Sequence, residues 1–548
     1  MTKQFNYISL TLIIALFMSS CFYTEEADLI VHNAKIYTVD ERFSTAEAMA
    51  IKDGKIIEVG PNNQIKNKYA TAKAVDAKLA FIFPGFIDSH CHFLGFGNTF
   101  FEVDLIGAKS WQEVIDRTLE FSKTTDDQWI TGRGWDQNKW ETTNFPNKDK
   151  LDSLFPSRPV LLKRVDGHAA IANQKALELA NITTKTTIKG GVFKKEAGKL
   201  SGLLIDNAVD KVSASIPPLT KAQIKRALLK AQEMCFAKGL TTVDDAYMEN
   251  HVVHIIDSLQ KSGEIKMKVY GMLSPSEKNK NEFLYNEPYK TNQLNIRSFK
   301  YFSDGALGSR GAKLIEPYQD DPTNHGLFLN DSTYFAAEAA ELHEYGFQMN
   351  THCIGDAANR MILNIYESTL KGTNDERWRI EHAQIVSAND LDKFGANNII
   401  PSVQPTHATS DMYWLEARLG EERSKTAYAW KDLLKQNGLL ALGTDFPIEG
   451  IDPLNTFFAA VFRKDDKNYP KGGFQIENRL SREETIRGMT IWAAMANFEE
   501  NEKGSLVKGK AADFIIINKD LMKVSESELF ETKILSTYID GEIVYSAK

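Results

Sequence analysis

His90 and His92 stand two residues apart at the end of the apolar run Phe81-Ile-Phe-Pro-Gly-Phe-Ile-Asp88. In an extended strand alternate side chains share a face, so both imidazoles point the same way, as a pair of metal ligands does. Taken alone, His-x-His says little, because polar residues at a strand end are common. Four later strand-like segments add candidates: Lys300 inside 297–304, His352 closing 347–352, His382 closing 378–382, and Asp445 closing 439–445. Each histidine by itself reads as a core or capping residue, and Asp445 by itself as a helix N-cap before Phe446-Pro447. As a set of imidazoles and a carboxylate, they read as ligands for one or two divalent ions, zinc before others. Such an ion lowers the pKa of bound water and polarises a carbonyl, with Asp445 placed as ligand and general base.

Residues so far apart in the chain need a scaffold that returns strand ends to one face. The middle of the sequence repeats a helix, a glycine and a strand, the rhythm of αβ units feeding a parallel sheet. Thr220 caps one helix that Gly239 closes before the run 240–244; Asp331 opens another that Gly346 ends. Ser481-Arg-Glu-Glu484 is a capping box for a last long helix before Gly504. Eight candidate barrel strands fall near 83–92, 160–168, 240–246, 297–304, 347–352, 378–383, 399–404 and 439–445. This predicts an α/β fold, a (β/α)8 TIM-like barrel, with the candidate ligands on the first, fourth, fifth, sixth and eighth strands. Most of them sit at strand C-terminal ends, where barrel enzymes keep their chemistry; Lys300 is mid-run.

The flanks differ. Alternating short strands over 27–83, with an Asp53-Gly54 turn, and again over 505–548, with Asp540-Gly541, predict a small β-sandwich built from both ends. The barrel then spans 84–504, and the stretches 95–158 and 170–220 exceed ordinary βα connections, which predicts an inserted lobe over the barrel mouth.

The ordered segments Pro84-Gly-Phe-Ile-Asp-Ser-His-Cys-His92, Gly132-Arg-Gly-Trp-Asp-Gln137, Arg164-Val-Asp-Gly-His168, Ser303-Asp-Gly-Ala-Leu-Gly-Ser-Arg310, His352-Cys-Ile-Gly-Asp356, Glu381-His382, Gln404-Pro-Thr-His407, Gly443-Thr-Asp445 and 504–513 resemble the amidohydrolase superfamily. Within it they resemble the branch that includes N-substituted formamide deformylases. The resemblance implies that His90 and His92 hold one metal with Asp445, and that His352 and His382 hold a second. It also implies that Lys300, carboxylated by carbon dioxide, bridges the two. The bland reading of Lys300 is a strand lysine that reaches solvent or pairs with Asp304. The reaction implied is hydrolysis of a non-peptide C–N bond in a small amide-like molecule.

Other motif residues are candidates for substrate handling. His168 reads as an oxyanion donor or a structural strand-end residue, and Arg310 as a carboxylate clamp or a loop-ordering ion pair. Trp135, Gln404 and His407 read as pocket lining, although tryptophan is more often core. Asp88 shares the inward face with His90 and would support the site from below.

A composition of 43% hydrophobic and 25% charged residues over 548 positions supports a large core. The net charge of −8, with no Lys/Arg block, argues against nucleic acid as a partner. Lys3, the apolar stretch 8–18 and Ser19-Ser20-Cys21 form a signal peptide over 1–21, with Cys21 as a lipobox cysteine. That predicts a lipid-anchored protein of the bacterial envelope, facing the periplasm or the surface; a homo-oligomer is compatible with the sequence. The three remaining cysteines are an odd number, so no disulfide framework is expected. Two further readings stand: a deaminase or other hydrolase on the same scaffold, and a catalytically inactive binding lipoprotein, which a metal-free folded protein would favour.

Overall fold

The central sheet runs β1 (Phe86–Cys91), β2 (Leu240–Met248), β3 (Lys268–Leu273), β4 (Leu294–Phe302), β5 (Gln348–His352), β6 (Arg379–Glu381), β7 (Ile400–Val403) and β8 (Ala441–Leu442), each parallel to the next. The computed structural model describes residues 24–547, so the expected signal peptide over 1–21 and its Cys21 lie outside the described residues. The last strand returns to the first: the Asp445 N–H donates to the His90 carbonyl at 2.8 Å, and the Asp88 carboxylate accepts from the Thr444 N–H at 2.9 Å and its hydroxyl at 2.7 Å. That approach requires glycine at 443, where a Cβ would meet the His90 nitrogen at 2.6 Å.

The helices form where capping and apolar spacing agree. Thr220 and Gln223 make a complete capping box for Lys221–Ala237, whose Ile224, Leu228, Ala231 and Cys235 face the barrel. Asp331 caps Ser332–Glu344, which leads to β5. Ser481 and Glu484 also form their capping box, but the expected long helix is two short ones, Arg482–Gly488 and Ile491–Ala496, interrupted at Thr490 with φ −141° and ψ −95°.

The second barrel strand expected near 160–168 belongs elsewhere. Val160–Arg164 pairs with Ile130–Trp135 and Ala169–Ala172 in a separate six-stranded sheet, completed by Val103–Asp104, Lys199–Asp206 and Gly191–Glu196. The barrel takes Lys268–Leu273 instead, a strand that opens on a lysine. Lys268 is buried and its charge is met by Asp513 and Asp540, each at 2.7 Å, so its strand does not read as an apolar run. Both errors fall before β4, so the ordinal positions of the candidate ligand strands are unchanged.

Toward the chain ends, a four-stranded sheet (Leu29–His32, Ala48–Lys52, Lys55–Gly60, Ala74–Asp76) and a six-stranded sheet share one apolar cluster. The second sheet joins Lys35–Tyr37, Thr45–Ala46 and Phe81–Pro84 to Phe514–Ile517, Ile534–Ile539 and Glu542–Ser546. Leu29, Met49 and Ile51 of the first meet Ile36, Ile82 and Phe514 of the second. Among the described residues no helix is long and apolar enough to cross a membrane.

Inside the barrel, charge is packed rather than excluded. Arg379 is fully buried and donates to Asp244 at 3.0 Å and to the Ser89 carbonyl at 3.2 Å; it also reaches Asn497, which itself donates to Asp244 at 2.6 Å. Removing one partner of such a pair strands the other charge, at a cost of about 3–5 kcal/mol. Arg379→Ala is therefore expected to lower unfolding free energy by about that amount in urea titration. The double variant with Asp244→Ala should be clearly less destabilised than the sum of the single variants; simple additivity would contradict the pairing.

Candidate active site

The C-terminal ends of the barrel strands deliver the polar side chains. His90 lies on β1 and His92 just beyond it; Lys300 lies on β4, His352 ends β5, Glu381 ends β6 with His382 next, and Asp445 follows β8. His407 comes from the helix Pro405–Asp411 after β7. His382 and Asp445 adopt φ of +73° and +63°, so the chain turns sharply where each side chain enters the site.

Asp445 is the meeting point. His92 Nε2 lies 3.3 Å and His90 Nε2 3.7 Å from its Oδ1, and His407 Nε2 lies 3.6 Å from its Oδ2. Two ligand sets result, His90, His92 and Asp445, and His382, His407 and Asp445, each with its donor atoms within 4.8 Å of one another. Lys300 Nζ is 3.2 Å from His90 Nε2. His352 joins neither set, but its ring centroid lies 4.6 Å from that of His382.

The outer ring nitrogens are engaged, which turns the inner ones toward the shared space. His90 Nδ1 meets Glu381, His382 Nδ1 lies 2.7 Å from Gln404 Oε1, and His92 Nδ1 lies 3.2 Å from the Ala246 carbonyl. Burial holds the His92, His352 and His382 imidazolium ions below their ordinary pKa, which favours the neutral ligand form. Burial opposes ionisation of Asp445, but His90, His92 and His382 outweigh it and hold the carboxyl well below the usual range. Burial brings Lys300 down to about 8 against the pull of Glu381 and Asp445. Buried Asp88 and Asp304 are pushed up to about 7 by desolvation; Asp304 accepts from the N–H groups of Lys313, Ile354 and Gly355.

Asp445 Oδ1, His352 Nε2 and His407 Nε2 are buried with no hydrogen-bond partner. Orphaned acceptors beside neutral imidazoles and an ionised carboxylate fit a divalent cation. The sequence pattern of the amidohydrolase family matches residues 73–545. The chain belongs to that family.

It is a hydrolase. YtcJ of Bacillus subtilis is 33% identical over 526 residues, covering 94% of this chain and 99% of that protein. The N-substituted formamide deformylase of Arthrobacter pascens is 25% identical, covering 95% and 99%. A metal-dependent hydrolase from Pyrococcus horikoshii, solved by crystallography, superposes with a TM-score of 0.75 at 29% identity, covering 91% of this chain and 99% of its own.

The amidohydrolase site differs from the sequence expectation at particular residues. His407 lines the cavity as expected, and it also stands with His382 and Asp445 as a candidate ligand. Gln404 is buried and positions His382 rather than lining the pocket. Trp135 is buried in the apolar core of the separate six-stranded sheet and donates to the Leu162 carbonyl at 2.8 Å, away from the cavity. Arg310 pairs with Asp320 at 2.9 Å and is not among the residues that line the cavity. His168 does line the cavity, although it follows Val160–Arg164 outside the barrel, with its ring centroid 5.1 Å from that of His352. Its Nδ1 is 2.8 Å from Asp206, whose pull outweighs burial and raises the imidazole's pKa.

Glu381 and Asp206 were missed. Strict alternation points Glu381 away from His382, and only the turn at His382 lets both serve one site. Glu381 is the carboxylate behind His90, and loss of such a partner typically weakens metal binding about 10–100-fold. Glu381→Gln is expected to lower metal affinity by about that factor in chelator competition with the fold retained. Unchanged affinity would remove Glu381 from the site.

Proposed function

We propose that the protein hydrolyses a C–N bond in a small amide-like molecule, with N-substituted formamides the first substrates to try. The observation that carries this reading is the convergence of two histidine pairs on one ionised carboxylate, Asp445. His90, His92 and Asp445 would hold one divalent ion and His382, His407 and Asp445, with His352 adjacent, a second; zinc suits imidazole and carboxylate donors. When bound, such ions supply Lewis acidity that acidifies water and polarises a carbonyl.

This chain's residues do the rest. The Asp445 carboxylate accepts the proton of the attacking water and returns it to the departing nitrogen. His168, its Nδ1 occupied by Asp206, presents Nε2 to the developing oxyanion. Lys300, whose pKa near 8 leaves a sizeable neutral fraction, is the amine to react with carbon dioxide. Its nitrogen forms the new C–N bond and releases a proton, exchanging a buried cation for a carboxylate that would serve as a further ligand beside His90. Native mass spectrometry checks this as the added mass of one carbon dioxide, lost in Lys300→Ala.

We read the two sheets toward the chain ends as one composite β-sandwich, and the sheet carrying His168 as a lobe over the barrel mouth. We also propose that Cys21 carries a lipid that anchors the protein in the envelope; Cys21→Ser should release it from the membrane fraction.

Turnover of N-substituted formamides or simple amides should vanish on chelation and return with zinc. His168→Ala should lower kcat about 10²–10³-fold, the usual cost of one oxyanion donor. A folded, metal-loaded protein with no activity across both substrate series would sink the reading.

A further inference from the structure

The cavity above the ligand cluster has a volume of about 900 Å³, and its wall includes cations that the proposed hydrolysis does not use. Arg164 is neutralised, by Asp166 at 2.5 Å and by Asp136. Arg133 and Lys163 are not. They are register partners on the neighbouring parallel strands Ile130–Trp135 and Val160–Arg164, so two like charges stand side by side on one face. Such a placement destabilises a sheet unless something lies between or above the charges.

Arg133 makes one hydrogen bond among the described residues, from Nη2 to the Val165 carbonyl at 3.0 Å, and its Nε is buried without a partner. Lys163 has no ion pair or hydrogen-bond acceptor among the described residues. The carboxylates in electrostatic reach are Glu102 and Asp210 for Lys163, and Glu102, Asp166 and Asp445 for Arg133. Asp166 is taken by Arg164 and Asp445 belongs to the histidine cluster; Glu102 and Asp210 remain nearby, but among the described residues neither forms an ion pair or hydrogen bond with Arg133 or Lys163. Arg133 and Lys163 line the same cavity as Asp445, which places both cations on the wall of the space above the histidine cluster. Two cations with this partial compensation suit a single negative charge better than a double one.

We propose that Arg133 and Lys163 form a subsite for a carboxylate on the substrate, so that the preferred substrates are amides bearing a free carboxylate on an apolar body. Phe302, Tyr247, Leu219 and Trp414 supply apolar wall for such a body. This rests on the hydrolase reading above for the position of the scissile bond, but the subsite binds whether or not turnover follows.

The test is calorimetric binding of N-acetyl-leucine, its methyl ester and its phosphonate analogue to the metal-loaded full chain. The acid is expected to bind at least about tenfold more tightly than the ester, the usual worth of a charge-assisted contact. Lys163→Met should erase most of that ratio and Lys163→Arg should keep it, with thermal melting verifying that both variants fold. Equal binding of acid and ester, tighter binding of the phosphonate, or a ratio that survives Lys163→Met would overturn the proposal. The last outcome would mean that the metal centre, not the cation pair, holds the carboxylate. A Lys163-dependent preference without any amide hydrolysis would keep the subsite and remove the function reading.

Discussion

An ionised carboxylate buried among imidazoles is the constraint that the rest of the barrel satisfies. Asp445 is 4% exposed, and a charge so far from water survives only where fixed partners replace its hydration. Its partners come from the ends of β1 and β6 and the helix after β7, so they exist only if the sheet curls until its eighth strand meets its first. Gly443 lets the backbones touch, and Asp88 ties Thr444 to the β1 end through two hydrogen bonds. Closing the barrel and assembling the site are thus one event, and Arg379 and Asp244 fill the interior beneath with a paired charge layer.

Most of this was legible because strand ends repeat one signal: an apolar run closing on a histidine or aspartate. That signal found His90, His92, His352, His382 and Asp445; Lys300, mid-run in its strand-like segment, had its bridging role only from the resemblance. It misplaced Val160–Arg164, whose run also leads to a histidine, and passed over Lys268–Leu273, whose opening lysine is buried by an ion pair with residues 245 and 272 positions away. Pairings across such separations leave no local periodicity. Glu381 was hidden for a different reason: period-two alternation holds only while φ stays extended, and His382 breaks it. His407 lies on a short helix, where strand logic gives no orientation.

The misplaced strand also explains how the site is divided. His168 belongs not to the barrel but to the chain between two strands of the sheet that carries Arg133 and Lys163, and it lines the cavity with its ring 5.1 Å from that of His352. The local backbone is arranged for that approach. Asp206, which orients His168, sits at φ +51° with its carboxylate packed against Gly305 and Gly311, where any Cβ would collide with it. Strain of that kind persists only where surrounding contacts over-determine it. Here the contacts come from both parts: Asp206 belongs to the separate six-stranded sheet, and the two glycines to the loop that follows β4. The niche therefore fixes the distance between His168 and the barrel histidines, so the two walls of the cavity are already registered to each other. The Asp445 cluster lies at the barrel strand ends, while Arg133 and Lys163 lie on the separate six-stranded sheet. If the proposed subsite holds, changing which molecules bind requires altering only the face of that sheet, and the Asp445 cluster can stay as it is.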